Sequence, residues 1–312
     1  MRVFVGGASG AIGVRLLPML AAAGHHVTGH THTPAKADLI RRAGSEPVVA
    51  DGLDAGAMRS LVLAARPDVI VHQMTALAGV TDLRNFDRAF AQTNRLRTQG
   101  LDILLAAARE VDTRRIIVQS YCGWPYAPTD GPIKSEDDAF DSNPPRRQRQ
   151  SLDAIMRLER TVTQASDLSG VVLRYGNLYG PGTGMLDRSV LEHIRRRRIP
   201  VIGDGDGWWS FLHVNDAAAA AAVAVDHSAT GLFNIVDDEP APAREWLPAL
   251  ASIMGAKPPR RVPEWLGRLL AGEVITRMMT KARAGSNAKA ARELAWRPTY
   301  ASWRTGFPGS LK

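Results

Sequence analysis

The chain has a single cysteine, Cys122, among 312 residues. One thiol excludes an intramolecular disulfide and argues against a cysteine-rich zinc site, and no other spacing points to a metal. Aromatic residues make up only 6%, and no basic-aromatic module of a nucleic-acid reader is present. No apolar run approaches the roughly 20 residues that a membrane helix needs. The longest, Ala217–Val225, is mostly alanine and lies between Asp216 and Asp226, which predicts a helix packed closely against its neighbours. The first residues, Met1–Val5, read as a strand and not as a secretory leader. The expectation is a cytoplasmic protein with neither a membrane nor a nucleic-acid partner.

The chain is 45% hydrophobic and 22% charged, the balance of a soluble globular protein with a large core. Its 39 Lys+Arg against 31 Asp+Glu give a net charge of +8. The basic residues are scattered apart from Arg146–Arg149 and Arg195–Arg198. They read as a solvated surface together with recognition of an anionic small-molecule substrate or a phosphate.

Strand-like and helix-like segments alternate through the first half. Val3–Val5, His26–His30, Glu46–Ala50, Asp68–His72, Arg115–Gln119 and Gly170–Tyr175 read as strands. Between them lie helical patterns over Ala11–Ala23, Pro34–Arg42, Asp54–Ala65, Phe86–Glu110 and Arg147–Leu168. This repetition predicts an α/β fold, a Rossmann-type doubly wound parallel sheet, over residues 1–175. Past Tyr175 the alternation loosens, and residues 176–312 read mainly as a smaller substrate-binding lobe, with some elements returning to the sheet. Gly123–Pro145, rich in Pro, Asp and Gly, reads as a functional or flexible loop.

Gly7, Gly10 and Gly13 stand three apart between the first strand and the first helix. A tight turn, close approach to a pyrophosphate and helix-on-sheet packing all demand small residues there. The helix N-terminus then offers its free N–H groups to the phosphates. These features assign Gly7, Ser9, Gly10, Ala11, Ile12 and Gly13 to a nucleotide site. A fold that selects NAD offers a carboxylate near the end of the second strand. Here that stretch holds His32 and Lys36 and no acid, which favours NADP over NAD.

In this order the residues resemble the extended short-chain dehydrogenase/reductases, the NAD-dependent epimerase/dehydratase group. Gly7-x-x-Gly10-x-x-Gly13 is similar to the cofactor motif of that group. Asp51-Gly52 resembles its acidic segment at the adenine. Thr75-Ala76 resembles the stretch that borders the cofactor, and Asn94 resembles a structural asparagine. The turn at Tyr175-Gly176-Asn177-Leu178 resembles the one that lies over the nicotinamide. Phe211–Asp216 and Lys289–Pro298 resemble two late motifs. The resemblance implies hydride transfer in a cleft between the lobes and a homodimer built from the two long helices.

One motif departs. The family carries Tyr-x-x-x-Lys, with a Glu four residues further on. With Glu159 as that Glu, Ile155 stands at the Lys position and Ser151 at the Tyr position. The family's lysine lowers a phenol whose ordinary pKa is near 10, and Ile155 has no charge with which to do so. The resemblance places Ser120 and Tyr121 in the turn that supplies the catalytic hydroxyl. Tyr121, or else Tyr126, is the candidate proton donor or substrate anchor. Three functions stand at this point: an oxidoreductase with a non-standard proton donor, a non-catalytic redox sensor, and a sugar-nucleotide epimerase or dehydratase. Cys122 reads as structural, Asn215 or Asp216 as a helix cap, and Trp208-Trp209 as a substrate border or an apolar plug.

Overall fold

The computed structural model describes residues 1–77, 79–80 and 83–311. Apolar runs without polar interruption set its centre. Val3–Val5, Val69–Val71, Ile116–Val118 and Val171–Leu173 are all buried, as strands covered on both faces must be. They belong to seven strands: β1 (Arg2–Gly6), β2 (His26–Thr31), β3 (Glu46–Val49), β4 (Val69–His72), β5 (Arg115–Tyr121), β6 (Ser169–Tyr175) and β7 (Gly231–Ile235). All pair in parallel, in the order 3-2-1-4-5-6-7. The expected Rossmann-type doubly wound sheet is therefore observed. Its order reverses at β1, which lies between β2 and β4, and that reversal opens a crevice at the carboxyl edge.

Alternation along β1 divides two cores. Val3 and Val5 face one side with Leu16, Leu17 and the alanines of residues 217–224, while Phe4 faces the other with Met58, Leu104 and Leu158. The first side is covered by α1 (Gly13–Ala22) and, from later in the chain, Val214–Asp226. Ala217, Ala218, Ala220, Ala221 and Ala224 are fully buried there, as the alanine run predicts. At the edge of this first side lies α2 (Ala37–Arg42), whose Ile40 belongs to the same core, while the other side carries α3 (Ala55–Ala65), α4 (Phe86–Arg95), α5 (Leu101–Glu110) and α6 (Arg149–Thr163). The smaller lobe has α7 (Arg188–Arg195), α9 (Ala243–Ile253) and α10 (Glu264–Lys281) around an aromatic core of Tyr179, Phe211, Trp246, Trp303 and Phe307. Between α7 and α9 the chain returns to the first layer as α8 (Val214–Asp226) and β7.

Two local differences from the sequence reading matter for the site. The helical pattern over residues 86–110 is not one regular helix, because a π-turn at Leu96–Gly100 joins α4 to α5. His72 at the end of β4 pins it: Nε2 donates to the Leu96 carbonyl at 3.0 Å while Nδ1 accepts the Met74 N–H at 3.2 Å. The cap of α8 is His213, whose side chain accepts from the Asn215 N–H. Asp216, one of the two expected caps, instead accepts the Thr299 and Tyr300 N–H groups at 3.0 and 2.8 Å, holding the C-terminal segment.

Burial lowers the His72 pKa from 6.5 to about 4. The unfolded chain therefore binds a proton across that interval that the folded chain refuses. Stability should be full above about 6.5 and fall as the pH drops towards about 4. His30, also lowered by burial, adds in the same direction. His72→Gln should flatten this acid limb without abolishing it, measured as urea midpoints across the interval. Asp216→Ala should cost about 1–3 kcal/mol by leaving two N–H groups unmet, measured by denaturant unfolding at neutral pH.

Candidate active site

The glycine-rich turn has the shape that its sequence demands. Gly7 has φ +83°, and a Cβ there would lie 2.7 Å from the Gln73 carbonyl oxygen; one on Gly13 would lie 2.5 Å from that of Ala8. The turn delivers the chain to α1, which among the described residues begins with no side-chain cap and no acid in its first turn. The Val14 and Arg15 N–H groups already donate to the Gly10 and Ile12 carbonyls at 3.1 Å, so an anion would be met by the N–H groups of the turn ahead of them. Ser9 is tied to Thr31 at the end of β2 by a 2.7 Å hydroxyl contact. Arg15 donates to the carbonyls of Ala11 and Pro181 and to Asn215 Oδ1 at 2.7–2.8 Å, which draws the turn after β6 over the start of the helix. A cradle that only glycine permits, open to an anion and floored by Ala11 and Ile12, fits a dinucleotide pyrophosphate.

The flanks of this cradle hold the other expected cofactor residues. His32 and Lys36 are exposed beyond β2. Asp51 is exposed and turns on itself to accept the Leu53 N–H at 2.9 Å. Gly52 is buried, and a Cβ there would lie 2.7 Å from Met74 Sδ. Thr75 and Ala76 leave β4 half-buried, the Ala76 N–H donating to Thr93 Oγ1 at 3.0 Å. Tyr175 is buried, and its hydroxyl accepts from Gln73 at 3.1 Å. Leu178 packs at the edge of the first core.

At the carboxyl ends of β5 and β6 lies a buried polar network. Arg174 grips Glu159 through two bonds, Nε to Oε1 at 2.9 Å and Nη2 to Oε2 at 2.7 Å. Ser120 donates to the same Glu159 Oε1 at 2.6 Å. Arg174 also donates to the Tyr126 hydroxyl at 3.1 Å, which in turn donates to Asn234 Oδ1 at 2.8 Å. Ser120 and Tyr126 are thus turned into the interior. Cys122 beside them is fully buried, and burial pushes its thiol up to about 12. It is an inert small residue at neutral pH.

Tyr121 faces the other way along the strand. Its hydroxyl donates to Asn177 Oδ1 at 2.7 Å, and Asn177 Nδ2 is held on the Ser210 carbonyl at 2.9 Å. The second bond fixes the amide so that its oxygen meets the phenol. Burial raises the Tyr121 pKa above its ordinary value, so the phenol is neutral at physiological pH. Nearby, Ser151 accepts from Asn94 Nδ2 at 3.0 Å and donates to Asp87 Oδ1 at 2.6 Å. Ile155, one turn on, is buried.

Sequence reasoning missed three parts of this site. Glu159 and Arg174 pair across 15 residues, and only a fold could bring them together. Arg97 is buried at the π-turn, with Nη1 3.4 Å from Asn94 Oδ1; in the sequence it is one arginine among many. An aromatic wall stands beside Tyr121. Phe86 stacks on Phe90 at 4.2 Å and meets Trp124 edge-on at 5.4 Å, and Tyr121 lies 6.1 Å from Trp124. Of the tryptophan pair, Trp209 packs on Trp246 and donates to the Met278 carbonyl, whereas Trp208 lines a cleft of about 510 Å³ with Pro128, Pro132, Lys281 and Arg283. Arg195 and its neighbours Arg196 and Arg198 are exposed, and Arg196 pairs with Glu192.

Breaking the central ion pair should be costly. Glu159→Leu should lower stability by about 3–5 kcal/mol, because the Arg174 charge is left buried without its partner. Glu159→Leu with Arg174→Met should recover a large part of that loss, read as the difference between denaturant midpoints of the single and double variants.

Comparison with known proteins agrees with this geometry. The model of the "NAD dependent epimerase/dehydratase family" matches residues 3–235. A Streptomyces sp protein named 3-diazoavenalumate denitrifying reductase is 44% identical over 309 residues, 98% of this chain and 99% of that one. A Stigmatella aurantiaca ketoreductase of 4-hydroxy-2-methyl-3-oxo-4-farnesyl-3,4-dihydroquinoline-1-oxide is 26% identical over 82% of this chain and 74% of its own. Among solved structures, a Thermotoga maritima UDP-glucose 4-epimerase with UDP-glucose superposes with a TM-score of 0.78 at 20% identity, over 100% of this chain and 97% of that one. A Thermus thermophilus UDP-glucose 4-epimerase complex with NAD gives 0.76 at 22% identity, over 100% and 98%. The glycine cradle, the sheet order and these matches together show that the chain belongs to the NAD dependent epimerase/dehydratase family and is an NAD(P)-dependent enzyme of the oxidoreductase/epimerase type.

Proposed function

We propose that this protein is a reductase that transfers hydride to an electron-poor, unsaturated carboxylate, with Tyr121 as the hydroxyl that meets the substrate. The observation that carries the reading is Tyr121, a phenol that burial keeps protonated and whose hydroxyl the Asn177 amide orients from its own hold on Ser210. A neutral phenol donates; it is a poor base. Oxidation of an alcohol, which begins an epimerase cycle, needs a group that accepts a proton. Reduction does not. The aromatic wall of Phe86, Phe90 and Trp124 beside Tyr121 suits a flat unsaturated substrate better than a sugar.

The Streptomyces relative, 44% identical, extends the reading to a diazo-bearing carboxylate. A bound nicotinamide cofactor supplies the hydride. In the diazonium form the hydride takes the place of N₂ on the carbon: the C–N bond breaks, N₂ departs, and the cofactor is left oxidised. Charge and atoms balance without a proton from the protein, so a site with Ser151 and Ile155 is sufficient for it. Tyr121 is then an anchor for a polar substituent, and Ser120 holds the strand end from behind through Glu159. A second reading, ketone reduction, is favoured by the same protonated phenol, since there Tyr121 would deliver the proton as a non-standard acid.

Tyr121→Phe separates the two. With a diazo substrate KM should rise while kcat falls less than about tenfold; with a ketone kcat should fall by about 10²-fold or more, the usual contribution of a general acid. Evolution of N₂ in step with cofactor oxidation would establish the first. Tight cofactor binding with no turnover of either class would favour the redox sensor.

The exposed His32 and Lys36, with no acid in the stretch from the end of β2 to Lys36, support NADP over NAD. Titration of cofactor fluorescence should show NADPH bound more tightly than NADH; NADH tighter by about tenfold, some 1.4 kcal/mol, would reverse the assignment. The proposal includes a cytoplasmic homodimer through the outer faces of α4 and α6, where Met156 is exposed. Light scattering would read its mass.

A further inference from the structure

The reading of a nicotinamide site leaves one buried charge without a task. Arg97 lies in the π-turn, 6% exposed. A guanidinium carries five N–H donors. Among the described residues its one side-chain bond is the long contact to Asn94 Oδ1, and its Nε meets no acceptor. Glu159, the acid whose charge it feels, is already gripped by Arg174 and by Ser120. Burial lowers the Arg97 pKa only to about 10, so it remains a cation at neutral pH.

Its position is specific. Asn94, its one partner, passes the contact on to Ser151 and Asp87. The π-turn packs on α6, the helix of Ser151, Ile155 and Glu159, and the charge of Arg97 is also felt by Tyr121. The guanidinium therefore occupies the corner between α6 and the end of β5, where Ile155 offers no charge and no hydrogen bond. The turn itself is pinned by the His72 bond to the Leu96 carbonyl, so the residue next to Leu96 is held in place from β4. π-turns within α-helices recur at functional sites. An unspent buried donor is costly alone, and a ligand oxygen that meets it turns that cost into affinity.

We propose that Arg97 is the positioning cation of the hydride-transfer site, and that its free N–H groups close on an oxygen of the nicotinamide half of the cofactor. This inference rests on the cofactor reading, and its test separates the two. Arg97→Gln, Arg97→Lys and Arg97→Gln/Ile155→Lys would be compared with the wild type by titration with NADPH and with ADP, which carries only the adenine half. Arg97→Gln should weaken NADPH at least about tenfold, as the loss of a charged hydrogen bond does, and leave ADP within about twofold. Arg97→Lys, and the lysine returned at position 155, should each recover most of the loss. Circular dichroism checks that each variant is folded, and Arg97→Lys against wild type keeps the comparison open if the glutamine variant is not. Unchanged NADPH affinity in Arg97→Gln, or equal weakening of NADPH and ADP, overturns the inference. A wild-type protein that binds ADP but not NADPH overturns the cofactor reading and this inference with it.

Discussion

The ion pair of Arg174 with Glu159 is the constraint on which the site depends. It joins the last buried residues of β6 to α6, and through Ser120 it takes hold of β5 as well. Tyr126 and Asn234 extend it to the loop after β5 and to β7. A buried pair of this kind adds little net stability compared with apolar residues of the same shape, but it fixes geometry because neither charge tolerates being left alone. What it fixes here is the end of β5. Ser120 faces inward to the carboxylate, so Tyr121, next along the strand, faces the opposite way and meets Asn177.

That alternation explains how the site differs from the pattern that its sequence resembles. Where the family carries tyrosine and lysine on α6, this chain holds Ser151 in a bond with Asp87 and buries Ile155. In the proposed reading the phenol comes from β5 instead, held by Asn177 just after β6, whose amide is fixed in turn on the Ser210 carbonyl from later in the chain. Phenol, amide and carbonyl form a chain with one direction of donation. Under the proposed function, such a site serves chemistry in which the protein holds or gives a proton and does not take one.

Much of this was legible in the sequence, for physical reasons. The glycine spacing reported the cradle, because a side chain at Gly7 or Gly13 would strike the backbone. Apolar runs reported the centre of the sheet, because the middle residues of strands covered on both faces, such as Val69–Val71 and Val171–Leu173, are apolar. The resemblance placed Tyr121 in the turn after the fifth strand, and it is the last residue of that strand. What stayed hidden depended on pairs distant in the chain or on helix geometry. The partnership of Glu159 and Arg174 has no local signature. The π-turn leaves the helical pattern intact, so nothing in Thr93–Gly100 marks Arg97 as buried. His213 acts as a cap that composition assigns to Asn215 or Asp216, since a ring nitrogen can do the work of a carboxylate there.

The only thiol of the chain lies sealed under Gly285, where an added Cβ would sit 2.2 Å from Cys122 Sγ. Sealed in this way, it offers nothing to maleimides or to mild oxidants while the fold is intact. The protein thus behaves as a cysteine-free background without any residue having been replaced. A cysteine introduced on the exposed face of α10 would carry a spin or fluorescent label at that one place, and the distance between the two lobes could be followed during turnover from a pair of such positions.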